Sequence, residues 1–326
     1  MSPKISIIIP VYNVAPFIIR CLDSCIHQTL KDIEIIIVDD CGSDDSIHIA
    51  KDYASKDNQI KIISNPQNLG TFHARIIGAN NASGLYCMFV DGDDFLHPAT
   101  CELCLQKAHI FKKHQKKLPD IIHFGLDFFP PNFKRKTPKI ITKDLKNENI
   151  LKNIFLDCPT PPWNVCGKLY KTELVNKASK KLDFADKKVS MAEDALQNFV
   201  ITLLAKSSTG IKNKLYFYYE NTTSITRQST PQARDKKIAD IDTIIHWLDI
   251  LSSDKELNSH PYFYPAKYKM QDILRSVIVL EHRYDQTNTI IPAYLKACLK
   301  SLKHHHKWQT YARIIIFILS FSKIKL

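Results

Sequence analysis

The feature that most restricts this chain is a set of unbroken apolar runs near its start: Ile5-Ser6-Ile7-Ile8-Ile9, Ile33-Glu34-Ile35-Ile36-Ile37-Val38, Ile60-Lys61-Ile62-Ile63 and Leu85-Tyr86-Cys87-Met88-Phe89-Val90. A strand with one wet face alternates apolar and polar residues. These runs do not, which is the pattern of strands covered on both faces in a parallel sheet. Between them the period becomes helical. From about Pro16, apolar Ile18, Cys21, Leu22, Cys25 and Ile26 fall three and four apart, Ser43 can cap a helix carrying Ile47, Ala50 and Tyr53, and a third helix is expected from about Thr71 to Asn81. Strand and helix in alternation predict an α/β fold: a doubly wound, mostly parallel sheet with helices on both faces, whose ligand sits at the carboxyl ends of the strands. Polar residues collect at those ends, as Asn13, Asp39-Asp40 and Asp91-Gly92-Asp93-Asp94.

Beyond about residue 108 the pattern loosens. Basic segments at Lys112 to Lys117 and Lys134-Arg135-Lys136 flank an expected strand, Ile121 to Phe129, and the Pro130-Pro131 break. Further strands are expected near Leu215 to Tyr219, and from about Gln232 the chain reads as helices with Ile238, Ile241, Ile244, Ile245 and Leu248 on one face. The boundaries drawn are one domain over 1–230, in halves 1–110 and 111–230, and a helical C-terminal region over 231–326.

The formal net charge of +12 points to an anionic partner, whether nucleic acid, an anionic membrane surface or a phosphorylated small molecule; a solvated lysine-rich surface is the plain alternative. Nine cysteines without a framework spacing favour reduced thiols and a cytoplasmic protein. The Cys101 and Cys104 pair reads as helix packing. No signal-peptide pattern opens the chain, and its longest apolar run, Ile314 to Leu319, is far short of the ~20 residues of a membrane-spanning helix.

Asp91, Asp93 and Asp94 crowd three anions into four residues, which is unfavourable unless a cation or hydrogen-bond donor compensates them. Carboxylate oxygens suit Mg²⁺ or Mn²⁺ with positions left for substrate phosphates, whereas the spacing excludes an EF-hand. A polar Asp-Gly turn is the simpler alternative. Asp39 could accept a hydrogen bond from a nucleotide base, while Asp40 or Asp44 could cap the following helix.

The segments Ile8-Ile9-Pro10-Val11-Tyr12-Asn13, Val38-Asp39-Asp40-Cys41-Gly42-Ser43-Asp44-Asp45-Ser46, Asn68-Leu69-Gly70 through Ala74-Arg75, and Asp91-Gly92-Asp93-Asp94 resemble, in order and spacing, the family 2 glycosyltransferases of GT-A fold. The resemblance implies that Pro10, Val11, Tyr12 and Asn13 line the nucleotide pocket, that Asp39 bonds the base, and that Asn68 and Gly92 belong to the donor site. Arg75 would lie near the diphosphate or fix Asp91, Asp91 would meet ribose or sugar, and Asp93 would be the metal ligand. Cys41 departs from the family's usual glycine but is also small. Trp163 to Tyr170 and Met191-Ala192-Glu193-Asp194 resemble the acceptor-side segments, which makes Asp194 the base. Tyr216 to Tyr219 followed by Ser224-Ile225-Thr226-Arg227 resembles the strand and loop that close over the donor, with Arg227 on the diphosphate or simply at the surface.

The activity so implied is an inverting, metal-dependent transfer from a nucleotide-diphosphate sugar to a glycan or lipid-linked acceptor. UDP is the first choice of carrier and GDP the second, in lipopolysaccharide or cell-surface polysaccharide synthesis. The first 110 residues would then be the nucleotide-binding half and 111–230 the acceptor-side half. The tail from His304-His305-His306 through Trp308 and Arg313 to Leu326 pairs apolar residues with basic flanks. It is expected to rest on an anionic leaflet at the inner face of the membrane or to self-associate as a homo-oligomer, against packing in its own core. The rival readings are a basic nucleic-acid-binding protein, opposed by the acidic strand ends, and a non-catalytic nucleotide-sugar-binding relative, opposed by the intact Asp93 and Asp194. A dinucleotide-dependent oxidoreductase would need a glycine-rich turn where Pro10 to Asn13 stand.

Overall fold

The structure is a computed structural model that describes residues 2–132, 135–221, 230–282, 293–302, 308–320 and 322–325. In chain order its elements are β1 (Ile5–Val11), α1 (Ala15–Ile26), β2 (Ile33–Asp39), α2 (Ser46–Ala54), β3 (Ile60–Ser64), α3 (Thr71–Asn80), β4 (Tyr86–Phe89), β5 (Phe95–Leu96), α4 (Thr100–Gln115), β6 (Ile121–Phe129), β7 (Leu145–Lys146), α5 (Glu148–Leu151), β8 (Lys168–Lys171), α6 (Thr172–Lys180), α7 (Glu193–Leu204) and β9 (Ser207–Tyr219). The helices α8 (Pro231–Ile250), α9 (Lys255–Asn258), α10 (Phe263–Glu281), α11 (Ala293–Leu302) and α12 (Trp308–Leu319) follow. The described residues form two compact units, one from Met1–Val189 with Asp194–Asn221 and one from Ser190–Glu193 with Thr222–Leu326.

The first unit is built on one sheet of order β3-β2-β1-β4-β8-β6-β9-β5, with β7 paired to β9. It is parallel from β3 through β4 and again between β6 and β9. Every residue of β1 and β4 is buried, as is all of β2 except its last residue, Asp39, so these runs lie covered on both faces; β3, at the sheet's edge, does not, with Lys61 exposed and Ile62 and Ile63 half-buried. Helix α3 packs so closely on β1 that a Cβ built on Gly78 would collide with Ile8 Cγ2. Only glycine admits that approach without displacement.

Glu34 is the polar exception inside β2, and it has partners. Ser6 Oγ donates to it at 2.6 Å, Ser83 N at 2.6 Å and Lys61 Nζ at 2.6 Å. Burial pushes its carboxyl up, but these bonds outweigh burial and bring it down to about 2.

The local pattern misleads in one place. Helix α2 starts at Ser46, and Ser43 does not cap it: the Ser43 N–H instead donates to Asn13 Oδ1 at 2.7 Å. Asp44 is the carboxylate at this helix start, accepting from Ser46 N at 3.1 Å and, from α1, Ala15 N at 2.8 Å. Asp40 caps nothing in α2. It turns to the next crossover and accepts from Asn65 Nδ2, Leu69 N and Gly70 N, each at 2.8 Å. Gly70, with φ +86°, leads into α3 through a backbone conformation that favours glycine.

In the second unit, α10, α11 and α12 share a small core of Val279, Tyr294, Cys298 and Phe317. All nine cysteines are free thiols, and only Cys41 is exposed. Cys101 and Cys104 are buried on α4, as helix packing requires. The His304 to His306 run lies outside the described residues.

Candidate active site

Parallel strands deliver their carboxyl ends to one edge of the sheet, and there the polar residues assemble. At the end of β1, Asn13 takes φ +53° and links by its side chain to the loop after β2. Pro10 and Val11 are buried, whereas Tyr12 is exposed with the Lys188 ammonium 5.6 Å from its ring centroid. Asp39, the last residue of β2, accepts from Cys41 N at 3.0 Å and Ser64 Oγ at 3.2 Å. The Asn68 side chain accepts from Gly70 N at 3.1 Å and so shapes the turn into α3.

The Asp91 to Asp94 turn follows β4, and its three carboxylates have three different environments. Asp91 is ion-paired to Arg75 Nη2 at 2.7 Å and also receives the Cys166 thiol at 3.6 Å. Asp94 faces the interior, 1% exposed, where the Tyr216 hydroxyl donates to it at 2.5 Å and the Tyr219 N–H at 2.8 Å. Burial, then Asp93 and Asp91, raise its carboxyl well above the usual range. Gly92 between them is buried.

Among the described residues, Asp93 is the carboxylate of this turn left without a side-chain cation in contact. Burial and then Asp91 push it up to about 6, against hydrogen bonds from its own backbone and Asn221 and the charge of Arg20. The Arg20 guanidinium donates to the main-chain oxygen of Asp93 at 3.0 Å, with its carbon 3.9 Å from the ring centroid of Tyr219 and 5.1 Å from that of Phe95. That aromatic-boxed arginine holds the turn. It escaped notice in the sequence because it stands amid the apolar residues of α1; a lone cation beside a helix's buried stripe was the available signal.

Arg75 joins this turn to residues far along the chain. Its side chain is 3% exposed, and while Nη2 holds Asp91, Nη1 pairs with Asp194 at the start of α7. The other Asp194 oxygen accepts from Val165 N at 3.3 Å, so the tryptophan-containing segment and the acidic pair meet at one carboxylate. Lys168 supports that segment from below by donating to the Asn164 carbonyl. Burial pushes the Lys168 ammonium down to about 8, against the pull of Asp194. Asp91, Arg75 and Asp194 are thus brought together; Asp39, Tyr12 and Asn13 lie at the ends of β1 and β2; Arg227 is outside the described residues.

Among the described residues no three His, Cys, Asp or Glu side chains are grouped to hold a metal ion. A single carboxylate with raised pKa nevertheless fits Mg²⁺ or Mn²⁺, which are bound through one or two carboxylates with the remaining positions filled by water and substrate phosphates.

Comparison with known proteins identifies the family and the fold. The pattern of the family described as Glycosyl transferase family 2 matches residues 6–154. The chain is 34% identical over 249 residues to the uncharacterized glycosyltransferase EpsJ of Bacillus subtilis, covering 73% of this chain and 67% of that protein. It is 32% identical over 235 residues to the glycosyltransferase GlyA of Streptococcus pneumoniae, covering 70% of this chain but only 32% of that longer protein. Among solved structures, TarS 1-349 of S. aureus in complex with UDP aligns with 98% of this chain and 92% of its own at 18% identity and a TM-score of 0.53. The last likeness is one of fold, the GT-A fold that the ordered motifs implied.

Proposed function

We propose that this chain, which belongs to glycosyl transferase family 2, moves a sugar from a nucleotide-diphosphate donor to a glycan or lipid-linked acceptor with inversion at the anomeric carbon. The observation that carries the reading is Arg75, one buried guanidinium gripping Asp91 on the donor side and Asp194 on the acceptor side. Two carboxylates far apart in sequence are thereby held on one guanidinium.

The chemistry assigned to these groups is a single displacement. Asp194 accepts the proton of an acceptor hydroxyl as its oxygen bonds to the anomeric carbon, and the bond from that carbon to the diphosphate oxygen breaks on the opposite face. Arg75 and the Val165 N–H hold the Asp194 carboxylate in place. Asp93 would hold a Mn²⁺ or Mg²⁺ ion, which when bound neutralises charge on the diphosphate. Pro10, Val11, Tyr12, Asn13, Asp39 and Asn68 would receive the nucleoside, Asp91 with Gly92 the ribose or sugar, and Arg227 the diphosphate. A UDP-sugar is the first donor to test, in keeping with UDP bound to TarS, and a GDP-sugar the second. Surface polysaccharide or lipopolysaccharide assembly is the setting that such an acceptor implies.

A peripheral membrane position goes with that setting. Among the described residues no helix is long and apolar enough to cross a membrane. On α12, however, Trp308, Tyr311, Ile315, Ile318 and Leu319 are exposed at spacings of three and four, an apolar stripe with aromatic residues at one end.

A thermal-shift screen of nucleotide sugars with and without Mn²⁺, followed by turnover of the Asp194→Asn variant, tests the reading. Donor binding should persist in the variant while turnover falls at least ~100-fold. Failure of every nucleotide sugar to bind the parent protein in calorimetry would overturn the assignment.

A further inference from the structure

The second unit contains a cavity of about 330 Å³, at the lower end of the ~300–1,000 Å³ typical of small-ligand sites. Its walls come from three helices. Ile238 and Ile245 of α8, Ile278 of α10 and Ala293 and Ala297 of α11 supply apolar surface. Ile245 and Ile278 are each 9% exposed, so this surface belongs to the interior of the unit.

Three cations also line it: Arg275 of α10 and Lys296 and Lys300 of α11. Lys296 and Lys300 stand four residues apart, where like charges on a helix repel. Among the described residues neither lysine has an ion-pair partner, while Arg275 lies 3.7 Å from Asp272. The one carboxylate in the lining is Asp242, which leaves a positive excess beside an apolar pocket. An inorganic anion would satisfy the cations but leave the isoleucines wet, and a neutral hydrocarbon would do the reverse. A molecule with an apolar chain ending in a phosphate satisfies both.

We propose that this cavity binds the lipid-phosphate portion of the acceptor, its chain among Ile238, Ile245 and Ile278 and its phosphate between Lys296, Lys300 and Arg275. The inference rests on the reading of the protein as a transferase with a lipid-linked acceptor and supplies the chemical class of that acceptor's carrier.

The test uses the full chain and dodecyl phosphate below its micelle concentration, with dodecanol and inorganic phosphate as the two half-ligands. Calorimetry should show one-to-one binding of dodecyl phosphate and far weaker binding of either half. The Lys296→Ala/Lys300→Ala variant should weaken it roughly tenfold or more. Ala297→Phe, which fills the cavity, should weaken it as well, and the lysine variant keeps the test decisive if Ala297→Phe fails to fold. Binding of nucleotide sugar, measured on the same preparations, should be unchanged. Absence of dodecyl phosphate binding, equal binding of either half-ligand, or indifference to the lysine variant would overturn the proposal. So would loss of binding to anionic vesicles in that variant with dodecyl phosphate affinity intact, because the lysines would then serve the bilayer surface. If nucleotide sugar binds and dodecyl phosphate does not, the cavity assignment fails alone; if nucleotide sugar itself does not bind, it is the transferase reading that fails.

Discussion

Replacing Asp93 with asparagine should make the metal-free protein more stable while removing its response to metal. Burial and the neighbouring Asp91 push the Asp93 carboxyl up to about 6 in the folded chain, whereas an aspartate in the unfolded chain titrates near 3.9. Between those values the folded state binds the extra proton, so this group's contribution falls as pH rises from about 4 to about 6 and stays at its lower level above that. A difference of that size corresponds to about 3 kcal/mol. Asp93 keeps partial contact with solvent, and screening reduces the figure to about 1–2 kcal/mol. An asparagine side chain at this position has no charge to desolvate and retains an oxygen to accept the hydrogen bond from Asn221. Urea unfolding without metal should therefore show Asp93→Asn matching the parent near pH 4 and exceeding it by about 1–2 kcal/mol at pH 7.5. Millimolar Mn²⁺ with a nucleoside diphosphate should stabilise the parent and leave the variant unmoved. A variant less stable than the parent at pH 7.5 without metal would refute the claim that the Asp93 charge is uncompensated, and a variant still stabilised by Mn²⁺ would refute the ligand assignment.

Other consequences are open to direct measurement. Arg75→Lys replaces a fork that reaches two carboxylates with a point charge, and kcat should fall roughly 100-fold or more, with Lys failing to rescue what Arg75→Met removes. Glu34, held down at about 2 in the fold, contributes stability that is present above about 4.5 and lost as pH falls toward 2. Glu34→Gln should remove that acid sensitivity and cost about 2–4 kcal/mol at pH 7, read by denaturant unfolding. Gly78→Ala sets a methyl against Ile8 and should cost about 1–3 kcal/mol and reduce turnover, since Arg75 is three residues earlier on the same helix; Ile8→Ala should recover part of both.

The strands in the first half were legible because unbroken apolar runs this short cannot cross a membrane and have few uses other than a strand covered on both faces. The polar strand ends were legible for the same reason: whatever follows a buried parallel strand is delivered to one edge. What could not be read were pairings set by distance in space. The insertion of β8 between β4 and β6 depends on contacts distant in sequence, such as Cys87 with Tyr170 and Ile121 with Tyr170. Arg75 was expected near Asp91, sixteen residues away, but its second partner, Asp194, is 119 residues away, and no local pattern announces it. The start of α2 was misplaced for a related reason. Ser43 is a good cap by type, yet α2 begins three residues later at Ser46, where the Asp44 carboxylate accepts the Ser46 N–H, while Asn13 from the end of β1 holds the Ser43 backbone in the preceding turn.

The acidic residues at the sheet edge look alike in sequence and are sorted by what compensates each of them. Asp40 is satisfied by two backbone N–H groups and an amide, Asp44 by a helix start, and Asp94 by the Tyr216 hydroxyl and the Tyr219 N–H. Asp91 and Asp194 share Arg75. Among the described residues, Asp93 alone in the Asp91 to Asp94 turn has neither a side-chain cation in contact nor the buried tyrosine hydroxyl of Asp94, and the Arg20 guanidinium donates to its main chain. A half-buried carboxylate in that condition costs stability, a cost that a cation arriving with the ligand would recover. That is the physical ground on which the metal role of Asp93, implied by the family resemblance, is proposed.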